Sequence, residues 1–401
     1  RAVNGELAEL GLVIAVDGPE LLRLRLGQFH DPVHDLDLRG VEVGAEELEG
    51  VRAVLGTGYL TQGPKTLEFE NLVARYLGVE YAIATTSATT ALHLAMVVLR
   101  IGPGDEVIVP SFTFPATANV VIQQGAVPVL ADIDLSTFNL SIQSVTAKVT
   151  PRTRAVIAVH LFGLPADMDG LVAVTRPQGI PVVEDAACAL GARYRGRLCG
   201  TLGDIACFSF HPRKIVTTGE GGMIATADPE YGRRARRLRT HGGERVDNRF
   251  VFAEPGFNYR MSDINAAIGV PQMRRLDRIV DERRRLAGVL TARLQGTPGL
   301  RLPSEPADCV HTFQTYAVLL ADGIDRDAVI RAMGADGIET TIGTYALHTE
   351  PYVQGRFGYA DGDLPCALTA WRQSLALPLY PGLTDEDVDR VASSLVKAVG
   401  G

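Results

Sequence analysis

The sequence predicts an α/β fold, with a mostly parallel central sheet, helices on both faces, and a smaller C-terminal α/β domain. Three observations carry this. Short apolar runs bounded by turn residues alternate with stretches of helical spacing between Tyr81 and Asp185. The chain has 401 residues, too long for one small core, so two domains are expected. Its 46% hydrophobic content is enough to fill a large interior.

In order along the chain, residues 1–45 are weakly patterned and are expected to pack on the small domain. His30 and His34 lie four apart, but Pro32 between them breaks the helical spacing that a metal pair needs, so no metal site is expected. Glu46 to Leu55 reads as a short helix. It leads into Gly56-Thr57-Gly58-Tyr59-Leu60-Thr61-Gln62-Gly63-Pro64, which starts like a dinucleotide fingerprint. Thr61 stands where the third glycine belongs and no strand precedes the loop, so a glycine-rich loop beside a polar ligand is the better reading.

Tyr81 to Thr85 follows as a strand, and Thr86 to Thr90 opens a helix whose apolar residues Ala91, Leu92, Ala95, Val98 and Leu99 recur at helical spacing. The alternation continues with strand Glu106–Pro110, helix Ala116–Gln124, strand Val127–Asp132 and strand Ala155–His160. A helix through Val174 and strand Ile180–Asp185 complete it. Asn258 to Ser262 precedes a helix that Gly269-Val270-Pro271 is expected to kink or restart. The large domain therefore covers 46–296. Thr297-Pro298-Gly299 opens the small domain, 297–401, with a strand at His311–Leu320, a helix at Arg326–Met333 and a closing helix at Asp385–Val399.

In sheets of this kind the ligand lies beyond the C-terminal strand ends. That rule gathers Thr86 to Thr89, Phe112 to Phe114, Asp185 and Ser209 to Lys214 along one edge. The apolar run Ile205 to Phe210 stops at His211-Pro212, because proline cannot continue a ladder. Lys214 then sits at the lip of a strand, followed by Gly219, Gly221 and Gly222, which let backbone pass close to a ligand. A desolvated lysine has a lowered pKa and condenses with carbonyls to form a Schiff base. Each neighbour has a use if the ligand is pyridoxal phosphate. The helix opened by Ser87 and Thr89 offers free amides and a positive dipole end to a phosphate. Asp185 closes a buried strand, where it needs a cation such as a protonated pyridine nitrogen. Phe114 can stack on the ring, and Ser209 can donate to the phosphate.

Composition excludes other classes. A net charge of -8 argues against a nucleic-acid binder. The run Arg233, Arg234, Arg236, Arg237 and Arg239 is read as a solvated or interface face. Five scattered cysteines without CxxC pairs exclude a zinc ribbon and point to reduced thiols. No apolar run approaches the roughly 18 residues of a membrane span. The segment 1–45 has no signal-peptide layout, so a cytoplasmic enzyme with no membrane partner is expected.

Seven motifs together carry a resemblance. They are Leu60 to Pro64, Ile101 to Phe114, Val159 to Gly163, Val183 to Ala187, Ser209 to Met223, Asn258 to Asp263 and Leu377 to Thr384. In number and order they resemble the DegT/DnrJ/EryC1/StrS family of nucleotide-sugar aminotransferases, which have the PLP-dependent transferase fold of type I. The resemblance implies that Lys214 anchors the cofactor and shuttles protons and that Asp185 pairs the pyridine nitrogen. By the same resemblance Phe114 stacks on the ring, Thr89 and Ser209 hold the phosphate, and Ala88 and Ala187 lie against the cofactor. Asn258 would reach the cofactor of a neighbouring subunit, which implies a homodimer with shared sites. Thr61, Arg260, Tyr345 and His348 would line the substrate side, with His348 either facing a diphosphate or serving as a structural histidine. One departure is Cys188, where relatives often carry glutamine or histidine against the ring oxygen; a thiol is a poorer hydrogen-bond partner.

Relatives that remove a hydroxyl group replace the lysine by histidine, so Lys214 favours amine transfer over dehydration. The implied reaction moves an amino group from glutamate or glutamine, through pyridoxamine phosphate, to a keto group of a nucleotide-linked deoxysugar. A keto-cyclitol of the scyllo-inosose type is the alternative acceptor. A non-catalytic regulator has no use for Lys214, Asp185 and Ser209 together, and a nicotinamide oxidoreductase lacks its glycine fingerprint.

Overall fold

The computed structural model describes residues 42–400. The His30/His34 pair and most of segment 1–45 lie outside them. The described end of that segment lies on the large domain, where Gln272 Nε2 donates to the Glu42 carbonyl at 2.6 Å.

Seven strands form the central sheet: β1 (Tyr81–Thr85), β2 (Glu106–Pro110), β3 (Val127–Ala131), β4 (Thr153–Val159), β5 (Val182–Asp185), β6 (Ile205–Ser209) and β7 (Gly222–Thr226). Their spatial order is β1-β7-β6-β5-β4-β2-β3. Only β7 opposes its neighbours, pairing antiparallel with β1 and β6; the other adjacent pairs are parallel. Strand β7 begins at Gly222, a residue the sequence marks only as letting backbone pass close to a ligand.

Helices α1 (Ala45–Thr57) and α2 (Pro64–Leu77) precede the sheet. Helix α3 (Ala88–Val98) follows β1, α4 (Ala116–Gln123) follows β2, and α5 (Met168–Thr175) follows β4. After β7 come α6 (Pro229–Leu238), α7 (Asp263–Arg274) and α8 (Leu276–Leu294). Successive strand side chains point to opposite faces, which yields two cores. Ile83, Val107, Ile157, Val183 and Ile224 pack with α3, α4 and α6. Ala82, Ile108, Val156, Val182 and Ala225 pack with α2, α5 and α7.

The small domain holds a four-stranded antiparallel sheet in the order Leu300–Arg301, Tyr316–Leu320, Ser374–Leu377, Thr341–Ile342. Its core adds α9 (Arg326–Ala335) and α10 (Asp385–Gly400). Packing does not follow a single cut at Thr297. Leu276 and Ile279 of α8 belong to the large core, whereas Leu286 and Leu290 belong to the small one. Leu347, Val353 and Ala367 return to the large domain.

Three local expectations are corrected. The strand expected over His311–Leu320 begins only at Tyr316. Before it, Phe313 has φ 48, and the carbonyls of Phe313 and Gln314 are taken by the Arg283 guanidinium rather than by a ladder. Helix α7 runs unbroken through Gly269-Val270-Pro271 and stops at Arg274. Pro271 cannot donate to the Ala267 carbonyl. That oxygen instead faces α1 at Gly50, where a Cβ would sit only 3.0 Å from it. Arg239 is not on a solvated face: it is buried and paired with Glu70 and the Ala84 carbonyl. Arg234 and Arg237 clamp Glu254.

Candidate active site

The C-terminal ends of β4, β5 and β6 open into a cavity of about 830 Å³ between the sheet and the small domain. Lys214 lines it and is half-buried. The lysine loop leaves β6 at Ser209 and is closed by backbone bonds from Phe210 to the Gly221 carbonyl and from Thr218 to the Phe210 carbonyl. The Lys214 ammonium donates to Cys188 Sγ at 3.1 Å.

Asp185 ends β5 and is 5% exposed. Thr117 Oγ1 of α4 donates to its Oδ2 at 2.8 Å, and the Ala187 amide reaches its Oδ1 at 3.2 Å. Burial pushes its carboxyl up from the usual value; the Thr117 and Ala187 bonds and the charge of Lys214 offset this only partly. The carboxylate is therefore short of positive charge in a buried place.

Helix α3 begins beside it. Ser87 caps the helix by accepting from the Thr90 amide, which leaves the first-turn amides of Ala88 and Thr89 without intrahelical acceptors. Ser87, Ala88 and Thr89 all line the cavity. Strand β7 presses against this end: a Cβ at Gly222 would lie 2.2 Å from the Ser87 carbonyl oxygen, so only glycine fits. Ser209, Ala187 and Phe114 complete this wall. Phe114 is exposed and meets Tyr345 edge-on at 6.3 Å, because the short strands Phe112–Thr113 and Tyr345–Ala346 pair.

The structure does not bring every predicted residue to the cavity. His348 is fully buried away from it: Nδ1 lies 2.7 Å from Ser111 Oγ and Nε2 3.1 Å from the Asp361 carbonyl. Both nitrogens are used, so it holds the loop and cannot face a substrate. Thr61 is exposed and bridges Ser262, outside the cavity lining. Asn258 and Arg260 lie on the same edge, joined by Arg260 Nε to Asn258 Oδ1 at 2.9 Å, and neither lines the cavity.

Sequence reasoning missed Thr117 and the pair His211 and Glu220. Thr117 lies in the first turn of the helix after β2, which the strand-end rule could have flagged. His211 and Glu220 line the cavity, with Nε2 3.9 Å from the Glu220 carboxylate. Burial, with the charges of Arg213 and Lys214, lowers His211 to about 4; burial raises Glu220.

One cluster, His160, Glu184 and Cys199, has metal-like proximity. Its histidine and carboxylate are already committed. His160 Nδ1 accepts from the Ala166 amide and Nε2 donates to Glu184, which also accepts from the amides of Gly200, Leu202 and Gly203.

The residues present fit pyridoxal phosphate: a lysine amine, a buried carboxylate lacking a cation, and free helix-start amides meet in one cavity. Comparison with known proteins agrees. A model of the DegT/DnrJ/EryC1/StrS aminotransferase family matches residues 41–396. The chain is 43% identical over 370 residues to GDP-perosamine synthase of Caulobacter vibrioides, covering 90% of this chain and 98% of that protein. The aminotransferase TlmJ of Streptoalloteichus hindustanus superposes with a TM-score of 0.83 at 37% identity, over 90% of this chain and 97% of that one. The putative sugar aminotransferase Spr1654 of Streptococcus pneumoniae, in its PMP form, gives a TM-score of 0.86 at 27% identity, over 90% and 96%.

Proposed function

The chain belongs to the DegT/DnrJ/EryC1/StrS aminotransferase family and is a pyridoxal-phosphate-dependent sugar aminotransferase, and from that premise we propose that it moves an amino group from glutamate or glutamine to a keto group of a nucleotide-linked deoxysugar. The observation that carries this reading is the buried, cation-short Asp185 in one cavity with Lys214. The 43% identity to a protein named for a GDP-linked sugar supports a nucleotide sugar as acceptor.

When bound, the cofactor supplies an electron sink for the carbanion formed as the amine moves. The chain's own residues do the rest. Thr117 orients Asp185, which would keep the ring nitrogen protonated. The Ala88 and Thr89 amides and the Ser209 hydroxyl would hold the phosphate, and Phe114 would lie against the ring. Cys188, beside the Lys214 amine, occupies the place where relatives often present a stronger hydrogen-bond partner. Lys214 would anchor the cofactor, and as a free amine it would be the group placed to take up and return the proton at the substrate carbon.

Asn258, Arg260 and Thr61 sit on an exposed edge outside their own cavity, which supports a homodimer in which they serve the neighbouring site. Mixing Asn258→Ala with Lys214→Ala protein tests this: shared sites restore partial activity in the mixture, independent sites do not. Five free cysteines support a reducing, cytoplasmic setting. Among the described residues no helix is long and apolar enough to cross a membrane.

The deciding experiment is a single-turnover assay of the pyridoxamine-phosphate form against keto-sugar nucleotides and keto-inositols, read by the change in cofactor absorbance. Conversion of a nucleotide sugar is expected. Conversion of free keto-inositols alone would replace the reading with the keto-cyclitol one.

A further inference from the structure

Arg283 is a buried cation with no counter-charge among the described residues. It sits on α8 and is 5% exposed. Its Nε donates to the Phe313 carbonyl at 3.1 Å and its Nη2 to the Gln314 carbonyl at 2.6 Å. Nη1 has no acceptor among the described residues. It is not sealed away either: the arginine nitrogens that are both buried and unpartnered are Nε of Arg239 and of Arg275, and Arg283 lines the cavity that holds Lys214. The contrast with Arg239 is direct, since that buried guanidinium is paired with Glu70. Two carbonyl dipoles orient Arg283 but supply no net negative charge, and burial pulls its pKa down to about 10 with no carboxylate opposing. A desolvated charge left this way is costly unless a ligand completes it.

Its position places that ligand. Gln314, whose carbonyl takes Nη2, donates its side-chain amide to the Arg213 carbonyl at 2.8 Å, one residue from Lys214. We propose that Arg283, through Nη1, seats a carboxylate of the amino donor in the cavity that holds Lys214; this rests on the reading of the chain as an amino-acid-dependent aminotransferase. A carboxylate supplies both the missing charge and an acceptor for the free N–H groups. Four acids line the cavity, Asp185, Glu220, Glu339 and Asp387. Thr117 donates to Asp185, the Thr384 amide to Asp387, and Glu220 lies 3.9 Å from His211; among the described residues none of the four forms an ion pair with Arg283. The cavity's other arginines, Arg213 and Arg390, are exposed and suit a bulkier anion at the rim, whereas Arg283 is enclosed and suits a small one.

The test uses the pyridoxal-phosphate-loaded enzyme and succinate, a dicarboxylate that has no amine and cannot react. Succinate binding is measured by calorimetry for wild type, Arg283→Gln and Arg283→Lys, with melting temperatures and a parallel titration of uridine diphosphate. Wild type should bind succinate, Arg283→Gln should bind it about tenfold or more weakly, and Arg283→Lys should keep most of the affinity. Equal affinity in wild type and Arg283→Gln overturns the proposal. So does equal loss in both variants accompanied by a fall in melting temperature, which marks a clamp on the 313–314 carbonyls only. Loss of uridine diphosphate binding without loss of succinate binding overturns it in favour of a nucleotide site. If neither glutamate nor glutamine changes the wild-type cofactor absorbance while succinate still requires Arg283, the amino-donor reading falls and the carboxylate seat stands.

Discussion

Glu184 and Asp185 are adjacent buried carboxylates on one strand, and they have opposite fates. Strand alternation sends them to opposite faces of the sheet. Glu184 is fully buried among one imidazole and three amides, all donating to it. Burial pushes its carboxyl up, but the His160 bond and the Gly203 and Gly200 amides outweigh that, so its pKa lies below the usual value. Asp185 has one hydroxyl and one amide, and its pKa stays raised. The lesson is that burial alone does not mark a functional carboxylate. The number of donors the fold supplies decides whether the group is finished or waiting for a ligand.

The comparison breaks most easily on the Asp185 side. Lys214→Ala should abolish turnover with far-ultraviolet circular dichroism unchanged, and Asp185→Asn should lower it by roughly a thousandfold, the scale on which preorganised charge acts. Appreciable amine transfer by Lys214→Ala would remove the basis of the assignment. On the Glu184 side the loss should be in stability. Glu184→Gln puts an amide where four donors converge and should cost about 1–3 kcal/mol for each donor left unpaired, measured by urea denaturation. A stable Glu184→Gln enzyme that had lost catalysis would reverse the two roles.

Acid titration sharpens the contrast, because the two groups tilt stability in opposite directions. The lowered Glu184 contributes stability that is present above its unfolded value, near 4.5, and is lost as pH falls through the folded value. The raised Asp185 contributes stability below its unfolded value, near 3.8, that is lost as pH rises through the folded one in cofactor-free protein. Asp185→Asn should therefore stabilise the cofactor-free protein at neutral pH and forfeit part of the stabilisation that pyridoxal phosphate confers, both read by thermal melting with and without cofactor. The smallest effect is expected for Thr117→Val. It removes one bond to Asp185, worth about 1 kcal/mol, and should weaken cofactor retention while leaving Glu184-dependent stability untouched.

Much of the site was legible because its signals are local. A strand run ending at His211-Pro212, a lysine two residues on, a capped helix after Thr85 and an acid at a strand end are all properties of short segments. The strand-end rule brings such segments together without coordinates. His348 stayed open between a diphosphate contact and a structural role for the converse reason: its partners Ser111 and Asp361 lie 237 and 13 residues away, and nothing local says which way the ring turns. The same holds for Thr117, 68 residues from Asp185. The antiparallel β7 was hidden by its glycine, which reads as a loop until Ser87 is seen pressed against it.

By itself, then, the chain's order of apolar runs, turns and caps determined the parallel α/β architecture and put Lys214 and Asp185 on one edge, since periodicity and backbone geometry act over a few residues. Only the tertiary structure decided which buried charge is satisfied: Glu184 closed, Asp185 open, Arg283 held among the described residues by two carbonyls. That balance depends on donors and acceptors brought from distant segments, and desolvation makes each missing partner count.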